Sequence, residues 1–197
     1  MHSLNLTFES LLNKTQAAWA FNYLLAHVPW QQDVYNFSGK EVKAPRLTAR
    51  YGADYHYSGL KTPSLPLDAV LSKLLNLIQL TTELAFVDSS NKPFNSILLN
   101  YYRDGRDSIG LHSDDETELG LSPVVASLSL GETREIKFQH NKTKKVESWM
   151  LEDGDYLLMH AGTQEHWKHT LPKDYSSKNP RISLTFRTIL EPEQLSH

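Results

Sequence analysis

The chain of 197 residues contains no cysteine. That absence excludes disulfides, thiolate zinc sites, iron–sulfur ligation and a cysteine nucleophile. Any metal site must therefore use nitrogen and oxygen donors, and nine histidines are available for it. Also missing is any run near the roughly 18–20 consecutive apolar residues of a membrane span. The opening stretch is interrupted by His2, Asn5, Glu9 and Asn13, and it has neither the basic start nor the apolar core of a secretory signal. No membrane partner and a cytoplasmic location are the expectations. Bulk positive charge is lacking too: the formal net charge is −3, so composition alone does not announce a nucleic-acid binder. No internal repeat or low-complexity segment divides the chain. At about 150 residues per domain, a single domain over residues 1–197 is expected.

What is present falls into two patterns. In the first part, Leu11, Leu12, Thr15, Ala18, Trp19, Phe21, Tyr23, Leu24 and Leu25 recur at helical spacing and predict an apolar helix face, with Thr15 as a candidate cap and Pro29 ending the run. Residues 34–42 read as a hairpin turning at Ser38-Gly39, residues 45–51 as a short strand, and residues 54–59 as a loop with exposed aromatics. Residues 67–84 carry Leu67, Val70, Leu71, Leu74, Leu75, Ile78 and Leu80 in a helical stripe, with Pro66 just before it. After Pro93 the period drops to two. Short runs at 96–102, 124–130, 134–140, 146–151, 155–159 and 181–189 are separated by turn residues. Six or more such runs predict an antiparallel sandwich, barrel or jelly roll, so the chain reads as helices followed by a β domain that they cover.

Chemistry concentrates in this second part. His112-x-Asp114 sets an imidazole and a carboxylate two residues apart, a spacing that puts both on one side of an extended strand. One more histidine would complete a 2-His-1-carboxylate facial triad of the kind that holds Fe(II) with open positions. His160, His166 and His169 are all candidates, and spacing does not choose among them. Asp114, Asp115, Glu116 and Glu118 crowd four acids into five positions; a dication would relieve part of that repulsion, and a solvated loop suffices for Glu116 and Glu118. Further on, Arg181, Ser183, Thr185 and Arg187 share one face of a strand and Ile182, Leu184 and Phe186 the other. If that face points into a barrel, its two arginines call for an anion, and a dicarboxylate would satisfy them; a solvent-facing strand of a sandwich is the alternative, favoured slightly for the strand taken alone.

Together these segments resemble the AlkB family of Fe(II)/2-oxoglutarate dioxygenases, and within it the branch that repairs alkylated nucleic-acid bases. The resemblance rests on Asn100-x-Tyr102 with Asp104-Gly105, on His112-Ser113-Asp114-Asp115-Glu116, on His166-Trp167-x-His169-x-Leu171-Pro172, and on Pro180-Arg181-x-Ser183-Leu184-Thr185-Phe186-Arg187. It is strong over residues 94–190, and Pro45-Arg46 with residues 51–59 extends it upstream. It implies a double-stranded β-helix (jelly-roll) core over about 94–190, flanked by N-terminal helices and a β-hairpin nucleotide-recognition lid within about 1–93. His112, Asp114 and His169 would be the catalytic iron ligands, His169 because it stands just before Leu-Pro. Asn100, Tyr102, Arg181, Thr185 and Arg187 match 2-oxoglutarate contacts, with Ser183 where the family commonly has asparagine. Tyr55, Tyr57, Asp115, Arg46 and Phe37 fall at substrate-facing positions, the tip at Phe37 resembling a hairpin that some members push into duplex DNA.

The implied cofactor is Fe(II), with 2-oxoglutarate and O₂ as co-substrates. The implied reaction is oxidative demethylation of bases such as 1-methyladenine and 3-methylcytosine in DNA, and in RNA as a further substrate, releasing formaldehyde, succinate and CO₂. The target base would have to be flipped out or single-stranded, with Tyr57 as a stacking face. A monomer is expected, cytoplasmic in a bacterium or nuclear in a eukaryote. Two stretches, 37–61 and 134–148, each hold five basic residues against two acidic ones and could meet phosphates. The same iron chemistry on a protein or small molecule, and a catalytically silent nucleic-acid-binding module, are the alternatives. His112→Ala or Asp114→Ala is expected to abolish turnover with the fold intact.

Overall fold

The computed structural model of the chain describes residues 3–37, 39–57, 60–62, 64–85 and 92–191; at residues 37, 55–57, 60–62, 84 and 85 the description is of the backbone alone. Two antiparallel sheets face each other. The larger is built from β1 (Leu6–Ser10), β4 (Leu47–Gly52), β7 (Ser96–Tyr102), β9 (Val125–Gly131), β12 (Asp155–Met159) and β14 (Arg181–Arg187), in the order β1-β12-β9-β14-β7-β4. The smaller contains β8 (Ile109–His112), β10 (Arg134–His140), β11 (Val146–Leu151) and β13 (Trp167–Leu171), in the order β11-β10-β13-β8. Two hairpins stand apart, β2 (Val34–Phe37) with β3 (Lys40–Lys43), and β5 (Tyr55–Tyr57) with β6 (Leu60–Thr62).

Strand alternation sorts the core. On β14, Ile182, Leu184 and Phe186 face away from the smaller sheet into a cluster with Ile97, Leu99, Leu128 and Leu130. Two helices, α1 (Lys14–His27) and α2 (Ala69–Ala85), cover that face with Ala17, Ala20, Leu24, Leu71, Leu74 and Ile78. Each fully buried aliphatic side chain there contributes roughly 1.5–3 kcal/mol. Between the sheets, Val125, Leu157 and Met159 pack on Ile136, Phe138, Leu151 and Trp167. Ile136, Leu151 and Met159 of this apolar cluster also line a cavity between the sheets.

The first region departs from the sequence expectation in four ways. Asn13, not Thr15, caps α1: its side chain accepts from the Gln16 amide while the Gln16 side chain accepts from the Asn13 amide. This reciprocal box satisfies two orphan donors at once, which a cap inside the helix could not do. The packed face of α1 uses the small residues Ala17 and Ala20, and Trp19 and Leu25 are exposed. Residues 55–57, expected as loop, form β5. The larger sheet also draws β1 and β4 from before α2, so strands and helices interleave rather than follow in blocks. Helix α2 starts where Asp68 accepts from the Val70 and Leu71 amides, and the Tyr23 hydroxyl donates to the same carboxylate, tying the helices together. No helix among the described residues is long and apolar enough to cross a membrane.

Candidate metal centre

Strand β13 turns Trp167, His169 and Leu171 into the sandwich and Lys168 out of it. Pairing of β13 with β8 sets His169 opposite His112, and their ring centroids lie 4.2 Å apart. Past β8 two hydrogen bonds steer the chain inward. The Ser113 hydroxyl donates to the Trp167 carbonyl at 3.2 Å, and the Asp114 amide donates to the Gln164 side-chain oxygen at 3.0 Å. The Asp114 carboxylate thereby joins the two imidazoles. One donor atom from each of His112, Asp114 and His169 lies within 4.8 Å of the others, the only such group of three among the described residues. His160 instead bonds Thr7 through Nε2 at 2.8 Å, and His166 lies 3.9 Å from the Glu165 carboxylate.

Protonation favours a cation here. The His112 Nδ1 sits 2.8 Å from the Gly110 carbonyl, which can only accept, so Nδ1 carries the proton and Nε2 presents its lone pair. Burial pushes His169 down to about 3, and it is a neutral imidazole at physiological pH. Burial alone would raise Asp114, but the adjoining Arg187 guanidinium together with the His169 and His112 rings outweighs it and holds the carboxyl below its ordinary range. The second oxygen, Oδ2, is buried with no hydrogen-bond partner among the described residues. A buried carboxylate oxygen without a donor, beside the neutral His169 imidazole and the His112 ring, fits Fe(II): an imidazole and carboxylate set suits that ion, and no thiolate competes.

Two chambers meet at this triad. The inner one runs between the sheets past Asn100, Tyr102, Ser127, Ser183 and Thr185 to Arg181. Arg181 is 2% exposed, donates to the Ser129 hydroxyl at 2.8 Å, and stands 5.5 Å from the centroid of the Tyr102 ring. Its Nε has no hydrogen-bond partner, and burial lowers its pKa to about 10, which still leaves it cationic. A buried guanidinium without a carboxylate fits the distal carboxylate of 2-oxoglutarate. The outer chamber is bounded by Tyr35, Arg46, Arg50, Ser96 and Glu116. Arg46 donates to the Asn100 side chain at 2.7 Å across the wall between the two. Arg50 is held by Asp33 at 2.9 Å.

The structure therefore brings together His112, Asp114, His169, Asn100, Tyr102, Arg181, Thr185 and Arg187 around one cavity, with Arg46 next door. Arg187 lines both chambers and is also the ion-pair partner of Asp114. Asp115 is exposed and lines neither chamber; its neighbour Glu116, which the sequence reading left to solvent, turns into the outer one. Tyr35 and Arg50 carried no sequence signal, because Asp33 and Arg50 meet only through the fold. The side chains of Phe37, Tyr55 and Tyr57 lie outside the described residues.

A two-sheet β fold that presents two histidines and one carboxylate at the mouth of an arginine-ended cavity defines the class of non-haem Fe(II) oxygenases. The model of the 2OG-Fe(II) oxygenase superfamily matches residues 6–187. The chain is 36% identical to the alpha-ketoglutarate-dependent dioxygenase alkB homolog 3 of Mus musculus, over 92% of its own length and 65% of that protein's. It is 33% identical to the DNA oxidative demethylase ALKBH2 of Bos taurus, over 95% of this chain and 69% of that protein. A solved structure of OsALKBH1 superposes with a TM-score of 0.62 at 21% identity, covering 95% of this chain and all of that one, a likeness of fold. The chain belongs to the 2OG-Fe(II) oxygenase superfamily and, within it, to the AlkB family. It spans just under two thirds of the length of the alkB homolog 3 protein it matches.

Proposed function

We propose that the chain is an oxidative demethylase of N-alkylated bases in DNA, and also in RNA, with 1-methyladenine and 3-methylcytosine as representative substrates. The observation that carries this reading is the meeting of two unlike chambers at one triad, one ending in a buried cation and the other opening toward solvent. The relationship to the DNA oxidative demethylase ALKBH2 supports the substrate class.

Fe(II), held by His112, Asp114 and His169, supplies the oxidising chemistry with O₂ and 2-oxoglutarate, which leaves as succinate and CO₂. The protein's part is placement. Arg181 and Thr185 take the distal carboxylate of 2-oxoglutarate, and the Tyr102 ring and Asn100 shape the chamber around its chain. Arg187 keeps Asp114 ionised and aimed. In the outer chamber Glu116 accepts from an exocyclic amine or faces a positively charged alkylated base, and Arg46 and Arg50 give the same chamber a cationic side. A base reaches this space only when unstacked, so the substrate is single-stranded or flipped. Tyr55 and Tyr57 on β5, Phe37 on β2 and Asp115 belong to the surface around that entrance. In this reading residues 1–197 act as one catalytic domain, monomeric, with the two basic stretches on phosphates.

The test is formaldehyde release from methylated single- and double-stranded DNA and RNA oligonucleotides supplied with Fe(II), 2-oxoglutarate and O₂. Release that depends on all three and is lost in His112→Ala is expected. Oxygen consumption driven by 2-oxoglutarate without release from any methylated strand would transfer the reading to a protein or small-molecule substrate.

A further inference from the structure

Arg134 opens β10, is 1% exposed, and is part of neither chamber wall. Its guanidinium donates to three carbonyl oxygens, those of Pro172 at 2.6 Å, Asp107 at 3.1 Å and Asp104 at 3.4 Å. Asp104 and Asp107 lie in the connection that leads into β8, and Pro172 is the first residue after β13. One side chain thus ties together the segments flanking the two strands that carry His112 and His169. The backbone repeats the tie. The Gly105 amide donates to the Ser177 carbonyl at 3.1 Å and the Asp174 amide to the Gly105 carbonyl at 2.8 Å. A Cβ at Gly105 would lie 1.6 Å from the Asp174 carbonyl oxygen, so only glycine permits this approach.

The carbonyls take donors of Nη1 and Nη2, Nε has no partner among the described residues, and none of these contacts removes the charge. Among the described residues no carboxylate forms an ion pair with Arg134. Arg134 also lies at the same end of the sandwich as Arg181. Gly131, three residues before Arg134, pairs directly with Arg181 in the ladder between β9 and β14. Both guanidiniums act on the buried Tyr102 phenol, and Arg134 adds to the lowering of Arg181. Two buried cations that share one neighbourhood disfavour each other until an anion enters between or beside them.

We propose that Arg134 is a positioning residue that makes the closed end of the inner chamber selective for a doubly charged 2-oxo acid. It fixes the segments flanking β8 and β13, and it adds a second buried positive charge behind Arg181. The inference rests on the function proposed above, since it presumes that a 2-oxo acid occupies the inner chamber.

Ligand binding tests it without turnover. The protein loaded with Mn(II) is titrated with 2-oxoglutarate and, separately, with pyruvate, which lacks the distal carboxylate, and each variant's melting temperature is recorded. Arg134→Gln, which drops the charge, is expected to weaken 2-oxoglutarate about ten-fold or more and pyruvate by less than about two-fold. Arg134→Lys keeps the charge but loses the planar fork, so its 2-oxoglutarate affinity stays within about three-fold while its melting temperature falls. Equal weakening of both ligands by Arg134→Gln, or no weakening at all, overturns the inference. If Arg134→Gln does not fold, Arg134→Lys decides alone: a ten-fold or larger loss of 2-oxoglutarate affinity that accompanies its fall in melting temperature overturns it. Failure of the wild-type protein to bind 2-oxoglutarate would instead sink the proposed function.

Discussion

The inner and outer chambers share Leu98, Ile109, His112, Asp114 and Arg187, yet they are built on different principles. Walls of the inner chamber come from paired strands of two sheets, and every inward residue is there because its neighbours in the sequence point outward. Arg181, Ser183, Thr185 and Arg187 are inside for the same reason that Ile182, Leu184 and Phe186 are against the helices. The outer chamber adds parts from outside the two sheets, Tyr35 from a hairpin, Arg46 ahead of β4 and Glu116 from a loop, to Arg50 on the edge strand β4 and Ser96 on β7. The contrast teaches where rigidity is stored. A ligand in the inner chamber meets a surface fixed by backbone pairing, whereas one in the outer chamber meets side chains held by individual links such as Asp33 to Arg50.

The largest effects should come from residues common to both chambers. His112→Ala is expected to reduce formaldehyde release to background with little loss of stability, because His112 is only partly buried. Asp114→Ala should do the same to activity but should also destabilise the fold by about 3–5 kcal/mol, since it strands the buried Arg187. The structure thus revises the expectation that both variants keep the fold intact, and urea denaturation distinguishes them. Next comes the inner chamber alone. Arg181→Met should raise the apparent KM for 2-oxoglutarate about 10–100-fold, the worth of about 1.5–3 kcal/mol in charged hydrogen bonds, and leave the KM for the oligonucleotide nearly unchanged. A smaller stability effect belongs to the stitched end: Gly105→Ala should cost on the order of 1–3 kcal/mol, read as a lowered melting temperature. Least is expected outside. Glu116→Gln should raise the oligonucleotide KM by about 2–10-fold, for about 0.5–1.5 kcal/mol in a hydrogen bond, and Asp115→Ala should change it by less than about two-fold. Equal effects at 115 and 116 would break the contrast between the chambers.

Legibility in the sequence follows the same division. Period-two runs located six of the eight strands from residue 96 onward, because alternation is the direct imprint of a two-faced strand; β8 and β13, which carry His112 and His169, were not among those runs. His112 and Asp114 could be paired by spacing, but His169 could be separated from His160 and His166 only by resemblance to a family, since what selects it is a cross-strand register. β1 was missed although Leu4, Leu6 and Phe8 alternate with Asn5, Thr7 and Glu9, because its burial is slight and its five residues leave a short pattern. β5 was missed because a strand of three residues leaves too short a pattern to read. Glu116 was left to solvent because four neighbouring acids look alike until a loop gives each a direction.

One pairing has a consequence in time rather than in space. Within the larger sheet β1 comes before the other strands in the sequence, and its partner β12 lies about 150 residues later, with Leu6 opposite Met159 and Ser10 opposite Asp155. All five residues of β12 are buried, so until β1 docks, one whole backbone edge of that apolar strand is open to any other extended chain. Closing so long a loop makes this a late event during folding, the kind of non-local contact that slows a β protein. The vulnerable interval for misassembly is therefore set by the segment farthest in sequence from the metal-binding strands it helps to enclose.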